Sequence, residues 1–298
     1  MRPPLSGESS SLQGIRIFRS TFKERCVLGT VVIPAFNRQS LTQRAFESVL
    51  QQPSSDQVQI IIVDDSSDAP IQIGGLRSQD VIIRNESRVG AAVSRNRGID
   101  AASGEIIYLL DSDDYFESRD YLSDLEALRA QPGIIYSALR SGSYRSNYPS
   151  AITRSGYLPA VLGTYPFLCQ TSTLCFSCDL GLRFDETLPK HQDWDFVFSA
   201  LCNGISVRHG PGLVHFDRTD KSSISRSRGA ERSIAWLAKL DSQPSLDFPL
   251  PVIELLVTGR TEISKRGRTG ALLDTFRRMD IPLESKVKML AKLALRAF

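Results

Sequence analysis

Long hydrophobic runs are absent from this 298-residue sequence. No stretch approaches the ~20 apolar residues that a transmembrane helix needs. The first eighteen residues, MRPPLSGESSSLQGIRIF, have no apolar core of the kind that a secretory signal carries. We therefore expect a cytoplasmic protein whose N-terminal arm is loose.

Cysteine and histidine are scarce. The five cysteines are an odd number in a chain of this length, which argues against a disulfide framework and for a reducing compartment. Cys175 and Cys178 form a single C-x-x-C, and neither a second pair nor suitably spaced histidines follow nearby. A zinc site is therefore not expected, and two small apolar residues on a strand are the better interpretation.

Charge of one sign is not in excess either. Lys and Arg number 36 and Asp and Glu 33, which gives a formal net charge of +3. A nucleic-acid-binding protein more often shows a basic stripe interleaved with aromatic residues, and residues 1–220 contain none. We exclude nucleic acid as a partner. The hydrophobic share of 41% is that of an ordinary folded protein.

Short apolar segments alternate with helical patterns along the first half of the chain. Ser40 and Gln43 fit an S-x-x-Q capping box at the start of the first helix. A second helix is predicted at 90–102, and buried strands at 30–34, 58–63, 81–83 and 105–110. This order of strands and helices indicates an α/β fold with an open, largely parallel sheet.

The pattern is weaker downstream. Helices are predicted at 121–128 and 193–201, and strands at 134–138, 173–176 and 212–216. Residues 141–166 are irregular in sequence, which suits a mobile loop that faces a substrate.

Two acidic clusters follow predicted strands: Asp64-Asp65 after the second, and Asp111 to Asp114 after the fourth. Ligands of open α/β sheets bind beyond the carboxyl ends of the strands, so both clusters fall where a ligand is expected. If the chain stays extended, Asp111 and Asp113 point to one face. Two such carboxylates make a partial site for Mg²⁺ or Mn²⁺, because these ions often bind one or two carboxylates plus substrate phosphates. A solvated acidic turn is the alternative.

Three segments resemble the family-2 glycosyltransferases in order and spacing: VVIPAFNR, IIIVDDSSD and GAAVSRNRGIDAASGEIIYLLDSDD. A fourth, FDETLPKHQDWD at 184–195, resembles the acceptor-side motif of that family. The resemblance extends over about residues 29–225. It implies a GT-A fold, in which helices flank an open, twisted, largely parallel nucleotide-binding sheet. It also implies a nucleoside-diphosphate sugar as donor, with a UDP-hexose expected, a divalent metal ion as cofactor, and inversion at the anomeric carbon.

Residues for the nucleoside are carried over from the family motifs. Pro34, Ala35 and Phe36 match the segment that lines the nucleoside pocket, and Asp64 and Asp65 match the acidic pair that contacts base and ribose. Carboxylates can accept hydrogen bonds from a uracil N–H or from ribose hydroxyls. The alternative for the acidic pair is a turn that caps the next segment.

Residues for the diphosphate and the metal also follow from the resemblance. Arg95, in SRNRG, matches an arginine that faces the nucleotide together with the neighbouring asparagine, whereas Arg97 is equally well a surface arginine. Asp111, Ser112 and Asp113 match the family's D-x-D motif, with Asp113 as the first choice for direct metal contact.

His215 lies where many relatives have a histidine or arginine near the diphosphate or metal. The resemblance therefore adds it to Asp111 and Asp113 as a metal ligand. A lone histidine at the end of a strand is as often structural, and this alternative stays open.

Asp193 matches the aspartate that acts as general base. Family members often have Glu-Asp here, whereas this chain has Gln192-Asp193. Asp195 is the rival, but on a helix it points about 200° away from Asp193. The Gln-x-x-Arg-Trp signature of processive polymerases is absent after Asp193, which favours single addition.

Three regions are expected: a loose N-terminal arm at 1–26, a GT-A catalytic domain at 27–225, and a helical C-terminal extension at 226–298. Residues 285–298, SKVKMLAKLALRAF, place basic residues and an apolar stripe on different faces of a predicted helix. This helix could rest on an anionic membrane surface, as a peripheral contact at the inner face of the membrane. It could equally pack its apolar stripe on the catalytic domain.

The motifs together predict a metal-dependent, inverting glycosyltransferase that adds one sugar to a glycan or lipid-linked glycan, as in bacterial surface or exopolysaccharide assembly. Two alternatives remain: transfer to a polyprenyl phosphate or a protein, and non-catalytic binding of a nucleotide sugar. A phosphate acceptor needs no strong general base, so Asp193→Asn would be tolerated in that case. The intact set of Asp111, Asp113 and Asp193 argues against a non-catalytic binder.

Overall fold

The computed structural model describes residues 27–165, 167–217 and 231–242. Its strands are β1 (Gly29–Ala35), β2 (Val58–Asp64), β3 (Val81–Arg84), β4 (Ile106–Leu109), β5 (Tyr115–Ser118), β6 (Gly133–Ser141), β7 (Tyr144–Arg145), β8 (Ala151–Ile152), β9 (Leu174–Ser177) and β10 (Ser206–His215). Its helices are α1 (Gln39–Leu50), α2 (Ala91–Asp100), α3 (Tyr121–Ala130), α4 (Arg154–Pro159), α5 (Gln192–Cys202) and α6 (Glu231–Asp241). The N-terminal arm and the helix predicted at 285–298 lie outside the described residues. Within the described ranges, no helix has the length and apolarity to cross a membrane.

The strands of the described residues form one sheet, in the order β3-β2-β1-β4-β9-β6-β10-β5, with β7 beside β6 and β8 beside β10. The first four strands of this order run parallel, and β10 is parallel to β6. β9 is antiparallel to both of its neighbours, and β5 is antiparallel to β10. The predicted α/β class with a largely parallel sheet is confirmed.

Helices cover both faces of the sheet, so the central strands are apolar on both sides. On one face, Ile60 and Ile62 of β2 share a core with Phe46 of α1. On the other face, Val32 of β1 shares a core with Ile99 of α2. The same second core includes residues of α4, α5 and α6. The carboxyl edge of the parallel strands is therefore held rigidly from above and below.

The predicted capping box at the first helix is wrong. Helix α1 begins at Gln39 with Arg38 as its N-cap, and no side chain caps it. Gln43 instead accepts a hydrogen bond from the Gly74 N–H (2.9 Å) and donates one to the Gly74 carbonyl (3.2 Å). A contact with a distant loop has replaced the local one that Ser40 and Gln43 predict.

The described part of 141–166, which is 141–165, does not form the irregular loop that its sequence suggests. It contributes β7, β8 and α4, and Tyr157 of α4 has no exposed surface. Leu158 and Leu162 join the same core. Two further differences are that β5 has no counterpart among the predicted strands and that β10 begins at Ser206, six residues before the predicted strand at 212–216.

Close contact between α2 and β1 depends on Gly98. A β-carbon at this position would lie 2.3 Å from Cγ1 of Val32, which has no exposed surface. Valine has few alternative side-chain rotamers, so the neighbour cannot move aside cheaply. The glycine therefore allows α2 to pack directly on the central strand.

Replacing Gly98 by alanine should lower the free energy of unfolding by about 1–3 kcal/mol, the usual cost of overpacking a core. Alanine favours a helix over glycine by only about 1 kcal/mol, so the clash should outweigh the gain in helix propensity. Urea denaturation measures the effect. The control is Gly74→Ala, because the nearest atoms to a β-carbon at Gly74 lie 3.9 Å away. Equal stability of the two variants would contradict the packing argument.

Candidate active site

Four segments with polar and charged side chains meet at the carboxyl edge of the parallel strands. Three of them follow β1, β2 and β4. The strand ends lie side by side because Ala35 of β1 is in register with Asp64 of β2, and Val32 of β1 with Leu109 of β4. The fourth segment is the first turn of α5, which Arg95 of α2 connects to the others through its contacts with Asp111 and Gln192. The placement of both acidic clusters beyond strand ends is as the sequence predicts.

Asp111 to Asp114 form a tight turn, closed by the Asp114 N–H donating to the Asp111 carbonyl (3.0 Å). The prediction of an extended segment here is wrong. The carboxylate of Asp114 stabilises the turn, because it is buried and accepts hydrogen bonds from Ser172 Oγ, Gln170 Nε2 (3.2 Å) and the Asp217 N–H (3.0 Å). Burial, together with the charges of Asp111 and Asp113, raises the pKa of Asp114 well above its usual range. Asp114 therefore anchors the turn from inside the protein.

Arginines pair with the other two carboxylates of this acidic turn. Arg95 Nη2 lies 2.6 Å from Asp111 Oδ1, and Arg38 Nη1 lies 3.1 Å from Asp113 Oδ2. Arg44 donates to the carbonyl oxygen of Asp113. The negative charge of the acidic turn is thus offset by cations that α1, α2 and the residue before α1 supply.

Arg95 connects the acidic turn to the helix that carries the predicted base. Besides Asp111, it donates to Gln192 Oε1 (3.1 Å), and its guanidinium lies 5.2 Å from the ring centroid of Phe184. Arg95 is only 6% exposed. The prediction that this arginine lies in the site is therefore consistent with its placement, and Gln192 has a defined partner there.

Asp64 and Asp65 are both buried and both order loops of the protein itself. Asp64 accepts from the N–H groups of Ser67 (2.9 Å) and Ile71 (3.2 Å). Asp65 accepts from the N–H of Gly90, the residue before α2, at 2.9 Å. Both aspartates therefore cap neighbouring backbone segments, as the alternative interpretation predicts. These bonds fix the loops that follow β2 and precede α2.

Pro34 and Ala35 lie inside β1, and only Phe36 projects beyond it. Ala35 is 3% exposed, so its side chain faces the core. Phe36 is half-buried, and the guanidinium of Arg88 lies 4.0 Å from its ring centroid. Of the three residues predicted to line a nucleoside pocket, Phe36 is thus the one that lies beyond the strand end, with Arg88 over its ring, and the pocket stays a prediction.

Asp193 is in the first turn of α5 and is half-buried. Its Oδ1 accepts from the N–H of Trp194 at 3.0 Å. Burial raises the pKa of Asp193 to about 6, and the charge of Asp111 adds to this while Arg95 opposes it. A carboxylate with such a pKa has the properties of a general base near neutral pH.

Asp195, the rival candidate, has a different environment. It is 3% exposed and its Oδ2 lies 2.7 Å from Lys239 Nζ of α6. The two aspartates therefore point in different directions, as the helical geometry predicts, and Asp195 is engaged in an ion pair.

The side chain of Asn96 makes its contacts within the protein, and the nucleotide-facing role that SRNRG implies stays a prediction. Its amide donates to the Phe184 carbonyl (2.9 Å) and to Glu186 (2.8 Å), and its carbonyl accepts from the Phe184 N–H (2.8 Å). Arg97 is exposed and donates to Asn85, which agrees with an ordinary surface role. Asn96 thus attaches the acceptor-side motif to α2.

His215 lies against Glu117 and Tyr115 of β5. Its Nδ1 is 3.1 Å from Glu117 Oε1, and its ring stacks on Tyr115 with centroids 4.5 Å apart. Among the described residues, no three His, Cys, Asp or Glu side chains come together as a metal-binding group. The set of Asp111, Asp113 and His215 is therefore not preformed.

Two carboxylates nevertheless fit a divalent ion bound together with a phosphate ligand. Asp111 is half-buried, and the side chain of Asp113 is 12% exposed. Both offer hard oxygen donors in one turn, the donor type that Mg²⁺ and Mn²⁺ select. Ser112 is 2% exposed and offers little surface to any ligand. Each carboxylate would have to exchange its arginine partner for the ion.

The residues that shape this site and escape sequence reasoning are mostly distant in the chain. They are Arg38, Arg44, Arg88, Gln170, Ser172 and Asp217. Arg38 could have been considered from its position next to the first strand. Nothing in the local sequence connects Gln170 or Ser172 with the acidic turn.

A family model described as glycosyl transferase family 2 matches residues 30–184, just over half of the chain. The amylovoran biosynthesis glycosyltransferase AmsB of Erwinia amylovora is 30% identical over 230 residues, which cover 70% of this chain and 76% of that protein. The succinoglycan biosynthesis protein ExoU of Rhizobium meliloti is 25% identical over 245 residues, with 71% and 70% covered. These matches confirm the resemblance that the motifs carry.

A solved structure shares the fold. S. aureus TarS in complex with UDP-GlcNAc aligns with a TM-score of 0.54 and 16% identity, over 90% of this chain and 80% of that chain. At this identity the similarity supports the architecture alone. The predicted GT-A fold is confirmed.

Proposed function

Because this chain belongs to glycosyl transferase family 2, we propose that it transfers a sugar from a nucleoside-diphosphate sugar to a hydroxyl group of a glycan or lipid-linked glycan during exopolysaccharide synthesis. A UDP-hexose is the proposed donor and single addition the proposed mode. The observation that supports the proposal is the contact of Arg95 with both the acidic turn and Gln192, the residue before Asp193, because the proposed donor side and the proposed base then lie close together.

The donor would lie along the carboxyl edge of the sheet. Phe36 and the loop ordered by Asp64 and Asp65 would hold the nucleoside. The diphosphate would lie at the acidic turn, where Arg38 and Arg95 can exchange a carboxylate partner for phosphate oxygens. Guanidinium groups suit this exchange because they pair with carboxylates and phosphates in the same geometry.

Asp111 and Asp113 would hold Mg²⁺ or Mn²⁺ together with the phosphates. The bound ion would supply Lewis-acid stabilisation of the diphosphate leaving group. His215 would bind the ion only if its contact with Glu117 were broken.

Asp193 would act on the acceptor. Its carboxylate takes the proton of the acceptor hydroxyl while that oxygen forms a bond to the anomeric carbon of the donor. The bond from the anomeric carbon to the diphosphate breaks in the same step, and the diphosphate leaves with the electron pair. A single displacement without a covalent intermediate inverts the anomeric configuration.

The acid limb of the pH–rate profile should reflect the ionisation of Asp193. Its pKa of about 6 means that the carboxylate form needed for proton removal is lost as the pH falls through that value. We expect kcat/KM to fall tenfold per pH unit below the pKa, and diphosphate charge should move the corresponding limb of kcat to higher pH. Steady-state rates across pH measure this. An unchanged acid limb in the residual activity of Asp193→Asn would assign the ionisation to another group.

Isothermal titration calorimetry with UDP and UDP-hexoses, with Mn²⁺ or with EDTA, tests the donor site. We expect tighter binding with the metal, because its charge offsets repulsion between the acidic turn and the diphosphate. Equal affinity in both conditions would remove the metal from the proposal.

NMR of the product from an α-linked donor should show a β linkage, and an α linkage would reject inversion.

A further inference from the structure

Helix α6 contacts the segment around Asp193 on both sides of that residue. Lys239 Nζ lies 2.7 Å from Asp185 Oδ2 and 2.7 Å from Asp195 Oδ2. Asp185 precedes Asp193 by eight residues and Asp195 follows it by two. A single ammonium group on another helix thus spans the chain on either side of the proposed base.

His191 fixes the same segment from within. Its φ of 63° is in the left-handed region, which is uncommon for residues other than glycine. Its ring stacks on Trp194 with centroids 4.5 Å apart, lies 5.0 Å from Trp236 of α6, and is 2.9 Å from Ser233 Oγ. Burial lowers the pKa of His191 to about 3, so the ring is neutral at any working pH. The unusual backbone turn before Asp193 is therefore stabilised by side chains of α6.

Ser233, Trp236 and Lys239 recur every three residues, so they lie along one face of α6. We call these three side chains the α6 clamp. Trp236 has no exposed surface, and Ser233 is 1% exposed. Among the contacts described above, none joins the α6 clamp to Asp193 itself.

We propose that the α6 clamp positions Asp193 for catalysis, so that sugar transfer by this chain depends on a helix outside the residues that match the family model. The inference rests on the proposed function, in which Asp193 is the base. The physical reason is that proton transfer requires hydrogen-bond distance, and small displacements of a catalytic group are costly. The clamp fixes the backbone on both sides of Asp193 and does not contact the donor-side residues described above.

Lys239→Met in the full chain separates positioning from general stability. We expect kcat to fall by ~10- to 10²-fold, the range for a misplaced catalytic group, with the Kd of the donor within about twofold of wild type. Lys239→Arg should restore most of kcat, since an arginine can still contact both carboxylates. The control is Arg129→Met, which removes an exposed ion pair with Glu105 at the opposite edge of the sheet and should leave kcat unchanged.

Hydrogen exchange gives a readout that does not depend on activity. In Lys239→Met the amides of 186–197 should exchange faster, and those of β1 and β2 should not. The chain has two tryptophans, Trp194 and Trp236, and both are in this contact, so fluorescence emission reports on the same place. A red shift of the emission should accompany the faster exchange.

Different results would contradict the proposed function and the proposed role of the α6 clamp. A wild-type chain that transfers no sugar contradicts the function, while the exchange experiment still decides whether α6 holds this segment. Unchanged exchange at 186–197, or an unchanged kcat in Lys239→Met, overturns the clamp. A parallel loss of kcat and donor affinity in both Lys239→Met and Lys239→Arg also overturns it, since that pattern indicates general destabilisation.

Discussion

Replacing Asp193 by asparagine should lower the rate of sugar transfer by ~10²–10⁴-fold, the span of general-base catalysis, while the donor affinity stays within a few-fold of wild type. Asparagine keeps the size of the side chain and can still accept from the N–H of Trp194, which Asp193 does at 3.0 Å. It removes basicity, and a sugar hydroxyl is a poor nucleophile without a base. Single-turnover rates with donor and acceptor, beside calorimetric donor titration, measure the two quantities.

The matched control is Asp195→Asn on the same helix. It should be milder, because the asparagine oxygen can still accept from Lys239, with which Asp195 Oδ2 is paired at 2.7 Å. Loss of activity in Asp195→Asn with a nearly normal Asp193→Asn would move the base by two residues. Nearly normal transfer in both variants would favour a phosphate acceptor, such as a polyprenyl phosphate, that needs no strong base.

Replacing Asp113 by alanine should lower turnover by ~10²-fold or more, because a preorganised charge at the leaving group is lost. The carboxylate lies in a turn that Asp114 anchors from inside, so the fold should persist. Circular dichroism establishes that the variant is folded. Titration of Mn²⁺ in the presence of UDP should show weaker metal binding in Asp113→Ala.

Asp100→Ala is the control for removing an aspartate that pairs with an arginine. Asp100 lies at the end of α2, where its exposed carboxylate is 2.7 Å from Arg183, and its loss should change neither turnover nor metal binding. Normal turnover in Asp113→Ala with the true donor and acceptor would reject the assignment of the D-x-D motif. Normal metal binding with low turnover would leave Asp111 as the main ligand.

Local patterns predicted the central sheet well. The strands at 30–34, 58–63 and 105–110 are predominantly apolar, and burial on both faces is what produces such runs in parallel strands. The acidic clusters could be placed because a strand end is visible in the sequence. Because helix periodicity is equally local, the different directions of Asp193 and Asp195 also followed from it.

Features that depend on distant partners could not be predicted. The bend at Asp111 to Asp114 depends on Gln170, Ser172 and Asp217, which are 56 to 103 residues away along the chain. The same holds for Gln43, whose partner Gly74 is 31 residues away. At α1 the capping box was the better local solution, and a tertiary contact outweighed it. At Asp111 to Asp114 the turn was the alternative that the sequence left open, and the burial of Asp114 is what the sequence did not show.

The place of β9 and β10 in the sheet has a consequence for biosynthesis. β4 emerges early from the ribosome with apolar residues from Ile106 to Leu109, yet its neighbour β9 begins only at Leu174. Until that strand arrives, an apolar edge stays open, and such edges are where nascent chains associate wrongly. The buried carboxylate of Asp114 also lacks one of its three hydrogen-bond donors until Asp217 has been translated. The acidic turn, although encoded early, is therefore complete only after Asp217, and the segment that carries Asp193 is complete only after Lys239 of α6. A ribosome stalled before β9 would display β4 with one edge unpaired.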